Sequence, residues 1–165
     1  MKYRILGKTG LKVSEVGFGA WAIGGNKYGN SYAPTDDNES LKAISYAIKQ
    51  GCNFFDTADV YGFGHSENLI GKFVPQVNRA DLILATKVGG DFYSGRVKTN
   101  FSRDYIRFAL QESLKRLNTD YIDIYQLHNP SFELIKDGYI FEIMKELQRE
   151  GWIRFFGICI DEDSE

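Results

Sequence analysis

Four polar side chains fall where apolar runs end. Asp56 follows Asn53-Phe54-Phe55, Tyr61 lies five residues further on, Lys87 closes Leu82-Ile83-Leu84-Ala85-Thr86, and His128 follows Tyr125-Gln126-Leu127. A carboxylate, a phenol, an amine and an imidazole at the mouths of successive strands make one proton-handling centre. Each alone has an ordinary reading. Asp56 can cap a turn, Tyr61 can be a loop aromatic, Lys87 can snorkel to the surface, and His128 can cap a strand. Their joint placement is the signal. His65, the only other histidine, reads as a helix-start or loop residue, and Asp59 as a loop acid. A metal-dependent hydrolase built on Asp56, Asp59, His65 and His128 is a poor match. The chain has two histidines and no His-x-His or His-Glu-x-x-His pair, so no metal is expected.

These groups need a scaffold that brings strand ends together. Tyr3 to Val13 reads as a hairpin turning through Gly7-Lys8-Thr9-Gly10. A strand is expected over Glu15 to Gly19, then a long Gly-, Asn- and Tyr-rich loop from Trp21 to Asp37. Leu41, Ile44 and Ile48 set a helix from Asp37 to Gln50, with Asp36 and Glu39 as a capping box and Gly51 as its stop. A strand over Cys52 to Asp56, a helix over Ser66 to Phe73 and a strand over Asp81 to Lys87 follow. Asp91 to Phe101 reads as a loop whose Arg96 and Lys98 are solvated charges, with attraction of an anionic substrate or cofactor as the alternative reading. Ser102 caps a helix to Leu117, Tyr121 to Leu127 is a strand, Tyr139 to Glu150 a helix, and Trp152 to Ile160 the last strand.

Strands alternating with helices predict a parallel sheet covered by helices. Gly17-Phe18-Gly19-Ala20-Trp21-Ala22 lacks the third glycine of a dinucleotide-binding turn. Polar groups at C-terminal strand ends are the habit of (β/α)8 barrels. The expected class is therefore α/β, of the (β/α)8 TIM-barrel type, cut to about five barrel strands with an N-terminal β-hairpin. The 165 residues are 43% apolar and 25% charged with a net charge of −2. This is an ordinary globular composition with no basic patch for nucleic acid. No run approaches a membrane span, and the two cysteines, Cys52 and Cys159, show no motif spacing. A cytoplasmic protein with no nucleic-acid or membrane partner is expected.

Gly17-Phe18-Gly19-Ala20-Trp21, Phe55-Asp56-Thr57-Ala58-Asp59-Val60-Tyr61-Gly62, Ser66-Glu67, Ala85-Thr86-Lys87 and Gln126-Leu127-His128 together resemble the aldo-keto reductases. The resemblance runs in order over almost the whole chain, and the hairpin resembles the one that plugs the bottom of that family's barrel. It implies an NADPH-dependent reductase of aldehydes or ketones with Asp56, Tyr61, Lys87 and His128 as its catalytic tetrad. The implied cofactor contacts are Gly19, Ala20, Trp21, Asp56 and Cys159. The chemistry is coherent. A carbonyl needs hydride on carbon and a proton on oxygen, and side chains supply only the proton. Lys87 should lower the pKa of Tyr61 from its usual ~10, Asp56 should keep Lys87 charged, and His128 should orient the carbonyl. A rival reading is an NADPH-binding regulatory or channel-subunit-like protein on the same barrel; a binding role has no need of the tyrosine acid.

The chain also departs from the family. It reads as the N-terminal portion, residues 1–165, of a single barrel domain. Cys159 stands where the family has a serine that helps hold the nicotinamide carboxamide, and a thiol is the weaker partner. Asp161 falls near a usual Asn or Asp. A five-strand piece leaves sheet edges and an apolar inner face open to self-association. Alone it is expected to bind NADPH poorly and to turn over slowly or not at all.

Overall fold

The computed structural model describes residues 1–27, 29 and 31–160. Strands β1 (Tyr3–Ile5) and β2 (Lys12–Ser14) form the expected antiparallel hairpin, with Arg4 opposite Val13. Five further strands make a parallel sheet in the order β3 (Phe18–Gly19), β4 (Phe54–Asp56), β5 (Ile83–Val88), β8 (Ile122–His128) and β9 (Ile153–Cys159). This is the expected number of barrel strands. The first of them is shorter than predicted, and it begins at Phe18 rather than Glu15. Cys52 and Asn53 precede β4 instead of opening it. Asn53 is used elsewhere: its side chain accepts from Ser14 N at 2.7 Å and donates to Lys12 O at 2.9 Å, which fixes the hairpin to the sheet.

The helices follow from their apolar spacing. Helix α1 (Asp37–Lys49) starts where Asp36 Oδ1 accepts from Glu39 N at 3.0 Å. Only that half of the capping box forms, because the Glu39 carboxylate pairs with Lys42 at 2.7 Å. Helix α2 (His65–Gly71) begins one residue earlier and ends two earlier than predicted, and a 3-10 turn over Val74–Gln76 follows it. Helix α3 (Arg103–Leu117) has the predicted Ser102 cap, and α5 (Tyr139–Arg149) buries Ile140, Ile143, Met144 and Leu147. Two elements were not foreseen. Helix α4 (Phe132–Asp137), capped by Ser131, buries none of its residues and so shows no periodicity. A short antiparallel ribbon, β6 (Gly90–Asp91) with β7 (Lys98–Thr99), replaces the expected loop; its strands are two residues long and are set by backbone pairing.

The helices cover one face of the sheet. Ile44, Leu69, Ile106, Leu110, Leu117, Ile143 and Met144 pack with Phe55, Leu84, Val88, Tyr125 and Leu127. On the other face, Leu11 and Val13 of the hairpin close the base against Ile83, with Phe54, Ile124 and Phe155 beside them. The hairpin thus plugs the bottom of the sheet as expected. Among the described residues, no helix is long and apolar enough to cross a membrane.

One buried ion network holds the base. Asp123 is fully buried and accepts from Arg79 Nη2 at 2.7 Å, Arg154 Nη1 at 2.7 Å and Leu84 N at 3.0 Å. Removing the carboxylate leaves the largely buried Arg79 guanidinium and the Leu84 N–H without that acceptor, while Arg154 is 44% exposed and keeps its water. Asp123→Ala is expected to lower stability by about 3–5 kcal/mol, read from the urea midpoint, with Asp123→Asn losing less.

Candidate active site

The site is built by strand alternation. Successive side chains along a strand point to opposite faces. Asp56 pairs with Ala85, Lys87 with Gln126, Gln126 with Gly157, and His128 with Cys159. Asp56, Lys87, Gln126, His128 and Cys159 therefore share the inner face, near the C-terminal ends of β4, β5, β8 and β9.

Lys87 is the hub. Its ammonium donates to Asp56 Oδ1 at 2.5 Å, to Thr57 O at 2.8 Å and to Tyr61 Oη at 3.3 Å. Its side chain is 3% exposed, whereas that of Asp56 is 37% exposed. Burial works to discharge the amine, but Asp56 and Tyr61 outweigh it and hold the pKa of Lys87 above its ordinary value. Gln126 Nε2 donates to the second Asp56 oxygen at 3.2 Å. The sequence reading missed Gln126, although its position two residues before His128 put it on the same face. His128 meets Tyr61 edge to face with ring centroids 6.0 Å apart. The structure thus brings all four expected catalytic side chains to one place.

One electrostatic expectation is reversed. Tyr61 lies beside Lys87, yet its pKa is raised rather than lowered. Burial is the largest cause, and the attraction and hydrogen bond of Lys87 do not overcome it. The phenol stays protonated at neutral pH.

The Tyr61 segment is held by backbone contact and buried hydroxyls. Gly62 has φ +59°, and a Cβ there would sit 2.2 Å from Gly24 O. Only glycine fits, because the two loops touch through their main chains. Ser66 Oγ donates to Ala20 O at 2.8 Å and meets Thr57 Oγ1 at 2.9 Å. Glu67, fully buried, accepts from Thr86 Oγ1 and from Arg116 Nε, each at 2.6 Å. The part of Arg116 was not visible in the sequence, since it lies 49 residues from Glu67. His65 opens α2 and bonds Asp37 at 2.8 Å.

The expected cofactor residues divide. Gly19 lies beside Asp56 at the end of β3, and nothing stands within 4 Å of the position a Cβ would take. Ala20 is buried, its N–H donating to Asp56 O and its carbonyl accepting from Ser66, so it shapes the strand end. The Trp21 ring stacks with Tyr61 at 5.9 Å, and its buried indole N–H finds no acceptor among the described residues. Cys159 lies opposite His128 and close enough to Tyr61 to act on it electrostatically. Asp161 lies outside the described residues. Trp21, Tyr61, His128 and the β6–β7 ribbon enclose a cavity of about 300 Å³. Among the described residues no three His, Cys, Asp or Glu side chains converge as a metal site.

The sequence profile of the Aldo/keto reductase family matches residues 15–164. The chain belongs to that family. It is 40% identical over 159 residues to aldo-keto reductase YhdN of Bacillus subtilis, covering 96% of this chain and 46% of that protein. It is 39% identical over 165 residues to L-galactose dehydrogenase of Arabidopsis thaliana, covering 96% and 48%. The holo form of aldo-keto reductase AKR11C1 from Bacillus halodurans superposes with a TM-score of 0.84 at 39% identity, covering 97% of this chain and 50% of that one. The fold is accordingly of the TIM-barrel type, and its five parallel strands are a partial barrel. The chain spans about half the length of the curated relatives it matches.

Asp59 lies in the turn after β4, as expected of a loop acid, yet it is fully buried, and neither side-chain oxygen meets a partner in hydrogen-bonding geometry among the described residues. Burial first, then the nearby Glu67 charge, drives its pKa well up, and Arg116, Val60 and Lys87 oppose without prevailing. The native carboxyl is therefore protonated where the unfolded one is ionised. Folding takes up a proton, so this group's contribution to stability falls as pH rises above the unfolded pKa of ~4 towards the folded one. The Asp59→Asn variant cannot ionise. Its stability relative to wild type is expected to rise as pH climbs above about 4, with a slope of up to ~1.4 kcal/mol per pH unit, and to level off where the native carboxyl itself ionises. Parallel urea titrations would check this, and a difference independent of pH would show Asp59 ionised in the native state.

Proposed function

We propose that the protein is an NADPH-dependent oxidoreductase that reduces an aldehyde or ketone to an alcohol. In this reading Tyr61 is the general acid, assisted by Lys87, Asp56 and His128. The observation that carries it is the Lys87 ammonium bound at once to the Asp56 carboxylate and the Tyr61 phenol. When bound, NADPH would supply the hydride to the carbonyl carbon. The residues fit the nicotinamide end of that cofactor: Gly19 leaves open space beside Asp56, the Trp21 indole N–H has no acceptor among the described residues, and Cys159 shares the face of His128.

Tyr61 holds its proton at neutral pH and gives it to the oxygen as negative charge develops there. The resulting phenolate lies beside an ammonium already in place, so the site need not reorganise as charge forms. Asp56 and the Thr57 carbonyl fix Lys87, and Gln126 fixes Asp56. His128 directs the carbonyl oxygen towards the phenol from the opposite wall.

The same reading makes residues 1–165 the N-terminal part of one barrel domain. A small carbonyl compound is the partner, and self-association through the β3 and β9 edges is proposed for the lone chain. Two unbridged cysteines fit a reducing compartment, hence a cytoplasmic location. The test is loss of reduced-nicotinamide absorbance when the full-length gene product is given NADPH and a panel of aldehydes and ketones. Tyr61→Phe should lower kcat by ~10²- to 10⁴-fold while NADPH binding persists. Undiminished turnover without the phenol would remove Tyr61 from the chemistry. A role retained by the variant would favour a binding protein.

A further inference from the structure

The β6–β7 ribbon forms one wall of the cavity above Tyr61 and His128, and it brings Lys98 and Thr99 there. Its root is rigid. Asn100 N donates to Gly89 O at 2.9 Å, and Tyr105 Oη donates to Gly90 O at 2.9 Å. Asp91 is spent on the ribbon itself, since Oδ1 accepts from Tyr93 N and Oδ2 from Asn100 Nδ2, both at 3.2 Å. The Lys98 ammonium is left 3.6 Å from Asp91 Oδ2, too far for a hydrogen bond, with its side chain 60% exposed. Among the described residues it donates no hydrogen bond, so its protons are available to a ligand.

Among the described residues lining the cavity, Lys98 alone carries a fixed charge; the others are neutral, glycine, aromatic or aliphatic. Beneath it the Lys87 and Asp56 charges offset one another at 2.5 Å. Among the described lining residues the cavity therefore carries one positive charge, offset in part by Asp91 at 3.6 Å. At about 300 Å³ it lies at the small end of ligand pockets. Val60, Val97 and Trp21 suit a short carbon chain between the two polar ends.

We infer that the site selects short carbonyl compounds bearing an anionic group, a carboxylate or a phosphate, and that Lys98 is the residue that recognises it. This rests on the reductase reading for the direction of the carbonyl, which meets Tyr61 and His128, while the anionic end meets the ribbon. Thr99 offers a hydroxyl donor beside the ammonium. An ion pair made by an exposed lysine favours the anion over a neutral analogue by roughly 2- to 5-fold, with a dependence on salt.

Trp21 in the cavity wall allows binding to be read by intrinsic fluorescence, with no cofactor present. The full-length gene product is titrated with 4-oxopentanoate against its methyl ester, and with dihydroxyacetone phosphate against dihydroxyacetone. The expected result is a preference for the anionic member of at least one pair, which weakens with added salt. Whichever pair shows it tells carboxylate from phosphate. Lys98→Met should bring that ratio close to one, and Lys98→Arg, which keeps the charge, should retain most of it. Equal affinity within both pairs, no binding of any of the four, or a preference that survives in Lys98→Met would overturn the inference. Failure of hydride transfer in the reductase assay would bear on Tyr61 alone, since this titration reads only binding.

Discussion

The buried ammonium of Lys87 is the constraint around which the site is arranged. Taking a cation out of water costs several kcal/mol unless every proton finds an acceptor. An ammonium has three protons. Asp56 Oδ1, Thr57 O and Tyr61 Oη meet it at 2.5, 2.8 and 3.3 Å. All three acceptors come from one stretch of chain, the end of β4 and the turn after it. That turn has to wrap around the end of β5, so the geometry that stabilises the charge is also the one that sets a phenol beside it.

Holding the wrap requires residues that do no chemistry. Within the Asp56-Thr57-Ala58-Asp59-Val60-Tyr61-Gly62 motif, Thr57 bonds Ser66, which in turn holds the Ala20 carbonyl. Gly62 lets its backbone rest on Gly24. Behind the sheet, Glu67 ties Thr86 to Arg116, and Arg116 reaches Tyr93 at 2.9 Å. Lys87 and Thr86 are neighbours on β5 facing opposite ways, one into the site and one into this outer network. The strand end is pinned from both sides, which is why its lysine can be both buried and precisely aimed.

This division explains what could be read from the sequence. The strand and helix order, the hairpin and the joint position of Asp56, Tyr61, Lys87 and His128 were legible, because period-2 and period-3.6 patterns and side chains at strand ends are local signals. Arg116 was not legible, because its meaning depends on a contact across 49 residues. The ribbon of β6 and β7 was missed for a related reason: two-residue strands carry no pattern. The burial of Asp59 was not legible, because an acid in the turn after a strand carries no local sign of what covers it. The direction of the Tyr61 shift also needed structure. A neighbouring cation can be inferred from sequence, but the amount of water excluded from the phenol cannot.

The position of each group in the sheet separates two requirements. Asp56 lies on β4, Lys87 on β5, and Gln126 and His128 on β8, and each of these strands is paired on both sides. Gly19 and Cys159, assigned to the cofactor, lie on β3 and β9, which are each paired on one side only among the described residues. The proton-handling geometry is therefore fixed by the interior of the sheet, while the contacts proposed for the nicotinamide depend on its borders. A sheet border is held by half the backbone hydrogen bonds of an interior strand, so it gives way first. In the proposed reading, the pairing along β3 and β9 should thus govern how well a nicotinamide is held far more than how Lys87 meets Tyr61.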